Sequence, residues 1–168
     1  MAVDNVYTTC IVDFKMCHGI HRDGVYVPGD WVCGARPKKY TELYPDFYMK
    51  HATQIKEFYL TLPKYAPDYT AFNCGHMATH YTANKLQAKE IHMYGFNSMF
   101  DFDLSSSSDT ILNSDRGTMN NARLTNNWRP IWQGLFNEFS DTQFVLYHKH
   151  DAIKFKVPEN VEIRTTNR

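Results

Sequence analysis

The sequence predicts a single three-layer α/β domain, residues 1–168, with a mainly parallel sheet. Three observations lead there. Strand-like and helix-like segments follow one another in the order β, β, α, α, β, loop, α, β. The stretch NNWRPIWQGLFNEFSD (126–141) places Trp128, Ile131, Trp132, Leu135, Phe136 and Phe139 at the three-and-four spacing of a helix with one apolar face. The segment EIHMY (90–94) reads as a buried inner strand, and it ends abruptly in Gly95 and a polar run, FNSMFDFDLSSSSD. In open α/β sheets, ligands bind beyond the carboxyl ends of such strands.

The elements are justified in order. VYTTCIVDF (6–14) is rich in β-branched and aromatic residues and predicts a strand. HGIHRDGVYVPGD (18–30), with its glycines and proline, predicts a loop or irregular hairpin. DWVCG (30–34) predicts a short strand ended by glycine. The segment 38–63 predicts a helix, begun by Pro45, with Ile55, Phe58, Tyr59 and Leu62 at helical spacing. FNCGHMATHYTANKLQ (72–87) predicts a helix capped by Asn73, with Ala78, Tyr81, Thr82 and Leu86 as its inner face. In the helix at 126–141, Asn126 or Asn127 is the expected cap, and Pro130 suits the first turn. TQFVLYH (142–148) and VEIRT (161–165) predict two further strands. Right-handed crossovers then place helices on both faces of the sheet.

Composition narrows the function classes. Aromatic residues make up 15% of the chain, which opposes disorder. Its 18 basic and 18 acidic residues cancel, which opposes a non-specific nucleic-acid binder. No apolar run approaches the roughly 20 residues of a membrane span. MAVDNVYTTC lacks a basic start and an apolar stretch, so no secretion signal is expected. The four cysteines form no CxxC pair and are expected as reduced thiols of a cytoplasmic protein, with Cys10 and Cys33 in the core.

NCGHMATHYTANKLQAKEIHMYGFNS, a glycine-opened small-residue helix followed by a strand that ends in glycine, resembles a segment of the bacterial sialyltransferases of glycosyltransferase family 42 and of related Rossmann-like proteins. The likeness covers about residues 70–100 and extends loosely to 128–144. The chain as a whole resembles small accessory proteins of phages. The resemblance implies a Rossmann-like fold and a nucleotide lying against Asn73, Cys74, Gly75 and His76. A helix N-terminus offers unpaired N–H groups and a positive dipole end, and Gly75 lets a ligand approach the backbone. The chain departs from the family in its chemistry. It has no glycine-rich donor turn near the N-terminus. After Gly95 it reads Phe96, Asn97, Ser98, Met99, Phe100 where the family has tyrosines, and 114–128 holds no histidine.

The residues themselves offer several candidate sites. Gly95, Asn97, Ser98, Asp101 and Asp103 stand at the strand end, where two carboxylates one residue apart can hold a divalent metal, hydrogen-bond a ribose or serve as base; the plainer reading is a solvated turn. Arg116 and Arg123 lie in a polar loop and can clamp a phosphate through their planar forks; the alternative is ordinary surface charge. His76 and His80 have metal-ligand spacing but no accompanying glutamate, and Cys17, His18 and His21 lack a partner set, so no metal is expected. His76 is read as near the ligand and His80 as a surface residue. In YHKHD (147–151), His148 and Asp151 can form an acid–base pair but are read as exposed loop-end residues.

The expectation is therefore a binder of a nucleotide, a nucleotide sugar or another phosphorylated small molecule. It has no cofactor and no membrane or nucleic-acid partner. A phage protein that sequesters a host nucleotide signal fits this description. A reduced glycosyltransferase using Asp101 and Asp103 is the alternative, and an interaction protein, self-associating through its aromatic residues, is the third reading.

Overall fold

The computed structural model describes residues 31–35, 38, 42–46, 49, 52–69, 71–72, 74–96, 99–100 and 128–166. The segments predicted at 6–14 and 18–30 and the caps Asn126 and Asn127 lie outside them. The chain is a mixed α/β structure with parallel strands in two small sheets. It divides into two compact units, Met1–Leu62 and Pro63–Arg168. Among the described residues, no helix is long and apolar enough to cross a membrane.

In the first unit, β1 (Trp31–Cys33) pairs in parallel with β2 (Ile55–Phe58). Trp31 N–H donates to the Gln54 carbonyl at 2.7 Å and Tyr59 N–H to the Cys33 carbonyl at 2.8 Å. Trp31 and Cys33 are buried, with Ile55 and Phe58 packed against them. Cys33 is thus a core thiol, as expected. The helix expected to carry Ile55 and Phe58 is instead a strand. Spacings of three and four fit a helix, but pairing with β1 along the backbone decides the conformation, and Ile and Phe suit a pleated surface well.

The second unit orders as α1 (Cys74–Asn84), β3 (Glu90–Tyr94), α2 (Arg129–Glu138), β4 (Gln143–His148) and β5 (Val161–Thr165). The sheet runs β3-β4-β5, all parallel. β4 stands in the middle and buries Phe144, Val145 and Leu146 in succession, as a strand covered on both faces does. β3 alternates instead. Met93 is buried while Glu90, His92 and Tyr94 are exposed. The expectation of an inner EIHMY strand is therefore corrected: among the described residues β3 is an edge, with one face to the core and one away from it.

α2 forms as its pattern dictates. Ile131, Trp132, Leu135 and Phe136 are fully buried, and Pro130 sits in the first turn, where its missing N–H costs nothing. Burial of each of these side chains contributes roughly 1.5–3 kcal/mol. Trp132, Leu135 and Phe136 share one core cluster with Phe144, Leu146, Met93, Met99 and Phe100. Gly134 lets α2 meet Tyr65 closely: a Cβ there would clash with the Tyr65 ring. Tyr65 Oη donates to Glu138 Oε1 at 2.8 Å, so ring and helix lock together.

The helix at 72–87 also forms, but on a different face. His76, Thr79, His80 and Ala83 point into the core, and Leu86 is exposed. Polar side chains can line this face because their hydrogen bonds are met inside. Thr79 Oγ1 donates to the Gly75 carbonyl at 2.8 Å, and both imidazoles are bonded.

The β4–β5 crossover, 149–160, contains no helix. Ile153, Phe155 and Val157 cover the core in place of a helix, and Ile153 bridges Phe100 in antiparallel fashion. The crossover ends in Asn160, whose Nδ2 lies 2.9, 3.0 and 3.1 Å from the carbonyls of Phe136, Phe139 and Thr142. The first two are carbonyls that a helix end leaves without intrahelical partners, and the third belongs to the turn into β4. Asn160→Ala is expected to cost about 2–3 kcal/mol, because part-buried acceptors lose their donor. A urea midpoint within error of the parent would show that water replaces the amide fully.

Candidate functional site

Parallel pairing brings the carboxyl ends of β3, β4 and β5 to one edge of the sheet. Both helices begin at this edge. Each runs back toward the start of the strand that follows it, α1 into β3 and α2 into β4. His76, in the first turn of α1, donates from Nε2 to the carbonyl of Trp128, the residue that opens α2, at 3.2 Å. Arg129 Nη2 donates to the Phe100 carbonyl at 3.1 Å. The two helix starts are thus tied to each other and to Phe100, in the segment that follows β3.

His76 does this as a neutral ring. It is fully buried, between Phe72 at 5.8 Å and Trp132 at 4.5 Å between ring centroids. Burial pushes its pKa down to about 3, against hydrogen bonds with the Trp128 and Ala71 backbone that work the other way. His80, expected on the surface, is buried as well. Burial lowers its pKa while Glu138, 3.3 Å from Nε2, opposes the shift. Both histidines are pieces of the packing between α1 and α2.

Of the sequence-assigned ligand residues, Gly75 and His76 lie in the first turn of α1, and Cys74 begins that helix. Gly95 follows β3 directly. It adopts φ +79°, the left-handed conformation that favours glycine, with no atom of the described residues near where a Cβ would stand. Asn73, Asn97, Ser98, Arg116 and Arg123 lie outside the described residues, as do the assigned catalytic residues Asp101 and Asp103.

A cluster that sequence reasoning passed over sits at the same edge. His148, read as exposed, is buried and stacks on Phe100 at 4.0 Å. His150 meets His148 edge-on at 4.6 Å and Phe100 at 5.9 Å. Ala152 N–H donates to His150 Nδ1 at 3.2 Å. That bond leaves the ring proton on Nε2, a buried donor with no acceptor among the described residues. The signal was present in YHKHD. An alternating strand end, with 148 on the core side like 144 and 146, places that histidine inward. Among the described residues, no three metal-ligating side chains gather. What the edge brings together is two helix N-termini and an imidazole N–H.

Comparison with protein-family models, with curated proteins and with solved structures returns no match.

Proposed function

We propose that the second unit binds a nucleotide or a related phosphorylated small molecule at the carboxyl edge of its parallel sheet and holds it without turnover. The observation that carries this reading is the convergence at that edge of both helix starts with the left-handed Gly95. Helix N-termini present unpaired N–H groups and a positive dipole end, which suit phosphate oxygens. His150 Nε2–H adds a neutral donor for an ester or carbonyl oxygen. In this reading Gly75 and Gly95 border the ligand, and Asn73, Arg116 and Arg123 are assigned to it from the sequence, the arginines to its phosphates. The unit is then a reduced Rossmann-like layer structure. Capture of a host nucleotide signal by a phage protein in the cytoplasm is the role that fits.

The test is a thermal-shift and calorimetric screen of the full chain against nucleotides and nucleotide sugars. A ligand at about 100 times its dissociation constant should stabilise the protein by about 2.7 kcal/mol. Gly75→Val should abolish that shift while the unliganded melting temperature changes little. No shift with any phosphorylated ligand would sink the reading. Release of free nucleotide from a labelled nucleotide sugar, lost in Asp101→Asn, would replace it with glycosyl transfer.

A further inference from the structure

On the sheet face turned away from α2, strand alternation gathers Glu90, His92 and Tyr94 of β3 with Tyr147 of β4 and Glu162 and Arg164 of β5. These side chains form one line of hydrogen bonds. Arg164 Nη1–H donates to Tyr147 Oη at 3.1 Å. Tyr147 Oη stands 2.8 Å from His92 Nδ1, and His92 Nε2 stands 2.6 Å from Glu90 Oε1. The arginine cannot accept, and the carboxylate cannot donate. With His92 neutral, its proton lies on Nε2, facing Glu90, and Nδ1 accepts the Tyr147 hydroxyl.

That is the arrangement of a nucleophile, a base and a residue that orients the base. A cation on the phenol oxygen adds to it, stabilising the charge that appears when the proton leaves. Glu162 holds Arg164 in place through Nε at 2.8 Å and Nη2 at 3.3 Å. Tyr94 stacks flat on Tyr147, with centroids 4.3 Å apart, and remains 67% exposed. Its own phenol pKa is raised, chiefly by a hydrogen bond to Tyr147.

We propose that Tyr147 is an activated nucleophile, with His92 as its base and Glu90 orienting the ring, and that it accepts a phosphoryl group from a phosphoric ester or anhydride. Phenolate oxygen is a hard nucleophile, matched to phosphorus. The Oη–P bond forms as the P–O bond to the leaving group breaks. The phenol proton passes to His92 Nδ1, where Glu90 stabilises the imidazolium, and the leaving oxygen departs with its electron pair. This stands apart from the nucleotide site, since it uses none of the residues assigned there.

The experiment treats the full-length chain with an alkyl fluorophosphonate and maps adducts by peptide mass spectrometry. The probe reports the same step: Oη–P forms, P–F breaks, fluoride leaves. Tyr44 and Tyr69, 53% and 40% exposed, are internal controls. Half-buried Tyr147 should react roughly tenfold or more faster than either, within the range of general-base assistance. His92→Phe keeps a flat ring beside Tyr147 and should erase the advantage with the melting temperature unchanged. Glu90→Gln should lose part of it. A Tyr147 rate no greater than that of Tyr44 and Tyr69, or one unaffected by His92→Phe, overturns the proposal.

Discussion

Trp132→Ala will destabilise the second unit by about 3–5 kcal/mol. The indole is 1% exposed and lies at the meeting point of the elements around it. It stacks on Phe136 at 5.8 Å, takes the Phe96 ring edge-on at 5.3 Å and packs against His76 at 4.5 Å. Truncation leaves a cavity bounded by rigid rings, which collapse poorly into it. A loss of this size is a third or more of the roughly 5–15 kcal/mol that holds a typical domain folded. Trp132→Phe separates packing from polarity. The indole Nε1–H has no acceptor among the described residues, so this change removes an unsatisfied donor together with some volume. It should cost clearly less than alanine does. Urea titrations of both variants provide the check; a loss below about 1 kcal/mol for alanine would place Trp132 outside the core.

Acid will weaken the fold through His76. Its imidazole has a pKa of about 3 in the folded chain, against 6.5 for an ordinary histidine. Between those values the unfolded chain binds a proton that the folded chain refuses. Stability therefore rises with pH across that window; it is fully present above about pH 6.5 and is lost as pH falls toward about 3. One such group supplies a slope approaching 1.4 kcal/mol per pH unit, to order of magnitude. His80 adds in the same direction, since burial lowers its pKa too. The measurement is the urea midpoint from about pH 7 to about pH 4 in the parent and in His76→Leu. The variant loses a hydrogen bond to Trp128 and starts lower, but its curve should be flatter. Parallel curves would show that His76 is protonated in the folded state.

Much of this was legible in the sequence, and the failures have physical causes. The α2 helix could be read because its apolar stripe is long and unbroken, from Ile131 to Phe136. VEIRT was read as β5 with its observed bounds. β2 was misread because Ile55, Phe58, Tyr59 and Leu62 fit a helix locally, and only β1, far off in sequence, decides otherwise. The inner face of α1 was misplaced because histidine and threonine count as polar in any periodicity. The burial of His76 depends on an acceptor that sequence does not reveal, the Trp128 carbonyl. At the candidate edge, the place of Gly95 directly after an apolar strand was legible, whereas the His148–His150 pair was passed over as a surface feature. The Tyr147 relay stayed hidden because its members come from three strands, and only their register brings them together.

The Asn160 amide has a consequence for how the molecule opens. Its side chain holds the last carbonyls of α2 and the turn into β4, its own carbonyl accepts the Phe144 N–H at 2.8 Å, and the next residue starts β5. Fraying of the helix end, detachment of β5 and loosening of β4's first residues are therefore a single event. In hydrogen exchange, amides at the end of α2 and at the start of β5 should report one shared opening energy, as members of a cooperative unit do, where terminal turns of helices commonly exchange by independent fluctuations.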